Sequence, residues 1–235
     1  MAFGEESDRT QEPSEVTPPV PQPQKAATKT LLHVGCGENH KDRTTPGFQG
    51  DEWSEIRLDI DPAAQPDIVA SMTDLTPIAD QSVDAIYSSH NIEHLYPHEI
   101  PVAFKEFVRV LKPDGFLITA CPDLEVIASM IVQGRLMAPA YNSLSGPIRP
   151  YDMLYGSERH LARGALHMAH RSGFTRDSLG SQLRAAGFRS FVGRKVYPDL
   201  WMIATVASCS PERRLELASA HLPAHGPSLR IGVRT

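Results

Sequence analysis

Three groups of residues in this 235-residue chain have the types and spacing to do chemistry. The apolar run Thr30-Leu31-Leu32-His33-Val34 ends at Gly35-Cys36-Gly37. With no Cβ on either glycine, the backbone there can come up against a ligand. Leu58-Asp59-Ile60-Asp61 places two carboxylates at the end of a second apolar run, where an acid can accept hydrogen bonds from a ribose. Ser88-Ser89-His90-Asn91-Ile92-Glu93-His94 gathers hydroxyls, imidazoles and a carboxylate, and histidine titrates near neutral pH, as proton transfer requires.

Such groups act together only if a rigid frame holds them. Apolar runs predict strands at 30–34, 55–58, 67–71, 83–88 and 116–120, with final strands at 188–194 and 200–207. Ile100, Phe104, Phe107, Val108 and Leu111 fall on one helical face, and that helix should stop at Lys112-Pro113-Asp114-Gly115. Asp123 can cap a helix carrying Leu124, Ile127, Met130 and Ile131 and ended by Gly134. Thr175 caps another, with Phe174 and Leu179 as a hydrophobic staple, Leu183 on the same face and Gly187 as the stop. A last helix is expected at 211–221, followed by a frayed tail. Pro46, Gly47 and Gly50 argue for a long loop or short turn between Lys41 and Trp53.

Short strands separated by crossovers, with glycines after the first and carboxylates after the second, describe an α/β fold, a doubly wound parallel sheet. Ligands bind at the carboxyl ends of such strands. Residues 1–28, rich in Pro, Glu, Gln, Ser and Thr, are expected to be a disordered arm, residues 29–209 the main domain, and residues 210–235 a C-terminal helix and tail. Within the domain, 135–172 loses periodicity as Pro139, Pro147 and Pro150 alternate with Tyr141, Tyr151, Tyr155 and three histidines. A loop-rich insertion of that length points to a substrate-side role.

Composition narrows the function classes. A formal charge of −5 without clustered Lys and Arg excludes an evident nucleic-acid surface. Cys36, Cys121 and Cys209 are odd in number and far apart, which suits neither a disulfide framework nor a Cys-rich zinc site and fits a reducing cytoplasm. No apolar run approaches membrane-spanning length, and the N-terminus lacks the basic start and apolar stretch of a signal peptide.

Read together, Val34-Gly35-Cys36-Gly37, Leu58-Asp59-Ile60-Asp61, Asp80-Gln81-Ser82-Val83-Asp84-Ala85-Ile86-Tyr87, His90-Asn91-Ile92-Glu93-His94-Leu95 and Arg109-Val110-Leu111-Lys112-Pro113-Asp114-Gly115 resemble class I S-adenosylmethionine-dependent methyltransferases of the type 11 kind. The resemblance implies a Rossmann-like methyltransferase fold, an α/β, doubly wound and mostly parallel seven-stranded sheet with a C-terminal antiparallel hairpin, S-adenosylmethionine as cofactor, and methyl transfer to O or N of a small-molecule acceptor. It places Gly35, Cys36 and Gly37 against the cofactor's amino-acid portion. Asp59, with Ile60 beside it, falls at the ribose, Met72 and Asp74 at the adenine, and Ser88 and Ser89 near the transferable methyl. Asp61 is the weaker candidate of the two acids.

Two departures stand out, since many members of this family carry an acid where this chain has His33 and a third glycine where it has Asn39. His90 is the first candidate for a general base, with His94, His167 and His170 in reserve. His90-x-x-Glu93-His94 also matches the His-x-x-Glu-His of inverted zinc peptidases, but in a methyltransferase setting that pattern is familiar without metal and none is expected. Lys41-Asp42-Arg43 is either an anion clamp or a solvated charge cluster. A nicotinamide-dependent oxidoreductase and a non-catalytic cofactor-binding scaffold are the other classes open to this sequence, with a zinc hydrolase more remote.

Overall fold

Leu31 and Leu32 are adjacent, so as strand residues they point to opposite faces of a sheet, and both are fully buried. Their strand must therefore be central with both faces covered. The structure, a computed structural model, describes Met1 and residues 28–143 and 146–224. The arm expected at 1–28 lies outside these residues except for its two ends, as does the tail from 225 on.

The strands are β1 (Lys29–Val34), β2 (Trp53–Asp59), β3 (Ile68–Val69), β4 (Val83–Ser89), β5 (Leu111–Pro122), β6 (Tyr141–Ser143), β7 (Gly146–Ile148), β8 (Ser190–Val196) and β9 (Asp199–Thr205). The helices are α1 (Ile100–Val110), α2 (Leu124–Val132), α3 (Pro150–Tyr155), α4 (Glu158–Ala162), α5 (Arg176–Ala186) and α6 (Pro211–His221). Seven strands form one sheet in the order β3-β2-β1-β4-β5-β9-β8. Its strands run parallel except β9, which is antiparallel to both β5 and β8. This is the doubly wound sheet with a terminal hairpin that the sequence implies. The chain reverses direction of winding at β1, so the crevice between β1 and β4 is the expected ligand site.

One face packs Leu32, Val34 and Ile86 against Phe104 and Phe107 of α1 and Leu179 and Leu183 of α5. The other packs Leu31, Ala85, Tyr87 and Ile118 against Phe48, Trp53 and Leu217 of α6. Two short 3₁₀ turns, at Lys41–Arg43 and Pro46–Phe48, stand where a long first helix would otherwise run. Phe48 from the second turn is fully buried, stacked on Phe116 and edge-on to Trp53.

Several element boundaries differ from expectation. β5 begins at Leu111, directly after α1, so Lys112-Pro113-Asp114-Gly115 does not separate helix and strand. It is carried instead as a register shift in the pairing with β4. The Lys112 ammonium bonds the Asp84 carboxylate at 2.8 Å, and the same oxygen accepts the Thr30 amide at 2.8 Å. Gly115 is needed there because a Cβ would lie 2.9 Å from the Lys112 carbonyl. β3 holds two residues in place of five. β8 and β9 are shifted by about two residues from the expected final strands, the pairing being set across the sheet by β5. Nor is 135–172 simply loop. It contains the β6–β7 hairpin, α3 and α4, each too short to show helical or strand periodicity. Pro150 opens α3 at the position that needs no amide hydrogen, and Arg149 and Asp152 form a reciprocal cap. No helix among the described residues is long and apolar enough to cross a membrane.

Candidate functional site

The glycine loop leaves β1 with Gly35 at φ +62° and Gly37 at φ +52°, both in the left-handed region. The Gly35 and Cys36 amides donate to the Leu58 carbonyl at 2.8 and 3.2 Å. The Gly37 amide donates to Asp59 Oδ2 at 2.7 Å, and the Asp61 amide donates to Asp59 Oδ1 at 2.9 Å. Asp59 thus shapes the loop as well as facing the crevice. The Asn91 side-chain amide donates to the Val34 and Ser89 carbonyls, each at 2.9 Å, tying the end of β1 to the end of β4.

Arg57 is the residue that sequence reasoning missed. It is 8% exposed, and its guanidinium donates to the carbonyls of Gly37 at 2.6 Å, Asn39 at 3.1 Å, Ala64 at 3.1 Å and Gln65 at 2.8 Å. A charged side chain between Ile56 and Leu58 in a strand otherwise destined for burial was the available signal. The departure at His33 is also accounted for. The ring is buried, with Nδ1 2.8 Å from Glu55 Oε1, and burial holds its pKa below the ordinary value against the pull of Glu55.

A cavity of about 600 Å³ opens over the loop, within the range of small-molecule sites. Gly35, Cys36, Gly37, Asp59, Ile60, Met72 and Ser89 all line it. A Cβ on Gly37 would meet nothing within 4 Å, so its bare backbone faces open space. Asp74 and Ser88 are not among the residues lining it. Asp74 is exposed and folds back on the Thr76 hydroxyl and amide, a local turn that also holds its carboxyl below the usual range. Ser88 is fully buried because strand alternation turns it away from the face that Ser89 presents. Lys41 is not an anion clamp, since its ammonium donates to the Gly50 and Trp53 carbonyls at 2.7 and 2.8 Å and pins the first 3₁₀ turn.

A second cavity, of about 640 Å³, is built largely by 139–170 and lined by Tyr141, Arg149, Asp152, His170 and Asp199, among others. His90, His94 and Met168 line both cavities, so the two adjoin there. Backbone bonds draw the insertion onto the end of β4. The Arg171 and Ser172 amides donate to the Glu93 carbonyl at 2.8 and 3.1 Å, and the Arg171 guanidinium donates to the His94 carbonyl at 2.7 Å. His167 lines the first cavity and His170 the second.

His90 has φ +55° and stands with Nδ1 3.5 Å from Glu93 and Nε2 3.5 Å from Asp199. Burial works against its charge, but the Asp199 and Glu93 carboxylates outweigh it and push the pKa up to about 10. Both carboxylates thus favour the protonated ring, which weighs against a general base at His90.

Residues 32–119 match the family model described as a methyltransferase domain. A search of curated proteins gives no match. Among solved structures, the fold is similar to a SAM-dependent methyltransferase from Archaeoglobus fulgidus (TM-score 0.50, 14% identity, 76% of this chain and 86% of that one). It is similar as well to one from Methanosarcina mazei (TM-score 0.51, 15% identity, 77% and 93%). A third is the Haloferax volcanii chain solved with the Trm112 methyltransferase activator (TM-score 0.52, 14% identity, 78% and 85%). At such identities the structural likeness speaks for the fold, and the family match for the glycine loop and the strands that flank it. On that footing, residues 32–119 match a methyltransferase domain, set in a fold similar to those of SAM-dependent methyltransferases.

Proposed function

We propose that the first cavity holds S-adenosylmethionine and that the second holds a small-molecule acceptor methylated on O or N. The observation that carries this reading is the meeting of two cavities of similar size at His90, His94 and Met168, with the glycine loop in only one of them. When bound, the cofactor supplies a methyl group already activated on a sulfonium. The chain then has to align, enclose and exclude water, and alignment alone can contribute up to about 7 to 11 kcal/mol.

The residues fit that task. Gly35, Cys36 and Gly37 offer backbone at close approach to the amino-acid portion. Each Asp59 oxygen accepts one backbone bond and keeps a lone pair for a ribose hydroxyl. Ile60 and Met72 flank the adenine side, and Ser89 stands at the junction. Asp74 and Ser88 have no part in it. Tyr141, Arg149, Asp152 and His170 give the acceptor side both aromatic and polar surface, which suits a small aromatic, polar or glycosidic molecule.

Calorimetric titration with S-adenosylhomocysteine, with NAD as control, tests the cofactor assignment. Wild type should bind, Asp59→Ala should bind about tenfold or more weakly, the loss of one hydrogen-bonded charge, and Asp74→Ala should stay within about twofold. Absence of heat at millimolar ligand, or heat with NAD instead, would overturn it. Incubating small-molecule pools with labelled donor and reading mass should reveal the acceptor as a gain of one methyl group.

A further inference from the structure

We infer that Glu93, His94 and His170 form a binding site for a divalent transition-metal cation beside the second cavity. One ligand atom from each residue lies within 4.8 Å of those of the other two. Glu93 is 1% exposed and neither carboxylate oxygen has a hydrogen-bond partner among the described residues. A buried carboxylate so placed is strongly unfavourable unless a charge answers it. His90 Nδ1 stands 3.5 Å from Glu93 Oε1, beyond hydrogen-bond distance, and the same ring's Nε2 lies 3.5 Å from Asp199.

The two histidines are set up as ligands. Nδ1–H of His94 donates to the Ala169 carbonyl at 3.2 Å, and Nδ1–H of His170 donates to the Met153 carbonyl at 2.7 Å. A carbonyl only accepts, so both rings carry their proton on Nδ1 and leave a lone pair on Nε2. Metal-binding histidines are held in this way, the far nitrogen fixed by a backbone oxygen. Two imidazoles and one carboxylate suit zinc or iron(II) and leave coordination positions open. Tetrahedral zinc–nitrogen bonds of about 2.0–2.1 Å put donor atoms about 3.3 Å apart, so the three residues close inward by about 1.5 Å from their widest separation.

The arrangement differs from that of the inverted zinc peptidases, in which both motif histidines bind metal and the glutamate acts as base. Here His90 turns to Asp199, Glu93 is a ligand, and the third ligand comes from the insertion that lines the acceptor cavity. Its role rests on the proposed reading of that cavity. A cation there would lower the pKa of an acceptor hydroxyl entering an open position, and the proton would pass to solvent water. The acceptor class is then an oxygen compound able to ligate metal, such as a phenol or enol.

The test uses the full chain, stripped with a chelator and titrated with cobalt(II) read by visible absorption, then displaced with zinc. One equivalent should bind. His170→Ala and Glu93→Gln should each weaken binding by about a hundredfold or more, and His98→Ala, an exposed histidine outside the cluster, should change nothing. Circular dichroism reports whether each variant is folded, and if Glu93→Gln is not, His170→Ala decides. No cobalt uptake by wild type, or wild-type affinity in His170→Ala, would overturn the site. S-adenosylhomocysteine titration of the same preparation separates the two readings, because metal uptake lost in His170→Ala supports the metal site whether or not the nucleoside binds.

Discussion

Arg57 shows how much of a ligand site can depend on a side chain that never touches the ligand. Four carbonyl oxygens around the glycine loop and the 3₁₀ turn at Pro62–Ala64 converge on one planar guanidinium. Lysine offers the same charge as a single point on a flexible stem and cannot span them. Arg57→Lys should therefore weaken S-adenosylhomocysteine by about tenfold or more and destabilise the fold by about 2 kcal/mol, since the unmatched carbonyls are part-buried. Calorimetry and urea denaturation would read the two effects, and unchanged affinity would mean that the loop holds its shape unaided. Gly35 is constrained from the other side. A Cβ there would overlap the Asn91 side-chain amide, and the residue also sits at positive φ. Gly35→Ala should displace Asn91 and abolish nucleoside binding at micromolar concentration.

Among the elements, α6 and the 3₁₀ turn at Pro46–Phe48 depend on each other. The weak stretch after the glycine loop leaves one sheet face thinly covered, and the C-terminal helix fills it by placing His221 against Phe48, with ring centres 4.3 Å apart. His221 is 4% exposed, its Nδ1 is 2.7 Å from the Thr45 hydroxyl, and burial, aided by Arg213, lowers its pKa from 6.5 to about 4. The sign follows from linkage: between those values the unfolded chain takes up a proton that the folded ring refuses. The contribution of α6 docking is fully present above pH 6.5 and is lost as pH falls toward 4, at a cost approaching about 3 kcal/mol. Urea midpoints measured from pH 7.5 down should fall more steeply in wild type than in His221→Leu. Parallel curves would count against His221 as the titrating group.

For the whole molecule, the division of labour between two cavities is the main consequence of the fold. The cavity over the glycine loop, proposed for the cofactor, is held by the sheet, while the cavity proposed for the acceptor rests on short elements fastened by Arg149. Its guanidinium bonds both Asp152 oxygens at 2.7 and 2.8 Å and Glu158 at 2.7 Å, and it holds the Asp152 carboxyl below its ordinary pKa. Arg149→Ala leaves the buried Asp152 without its cation, a local cost of about 1–3 kcal/mol. Amide exchange across 146–162 should quicken while the dissociation constant of S-adenosylhomocysteine stays within about twofold. A parallel loss of nucleoside binding would show that the cavities are not separable.

The succession of strands along the chain, the glycine loop after the first and the caps at Asp123 and Thr175 could be read directly from the residues. Each depends on local chemistry, whether backbone freedom, side-chain period or a capping oxygen, that sequence neighbours supply. Contacts between distant segments could not be read that way. Arg57 bonds carbonyls on two separate loops, His221 meets Phe48 across the fold, and His170 reaches Glu93 and His94 only because backbone bonds fasten the insertion to the end of β4. His90 shows the difference most clearly. Its position at a strand end fitted a base, but Asp199 arrives on β9 with its carboxylate 3.5 Å from the ring and raises the pKa. Charge acts through space, and only the folded chain sets which charges are close.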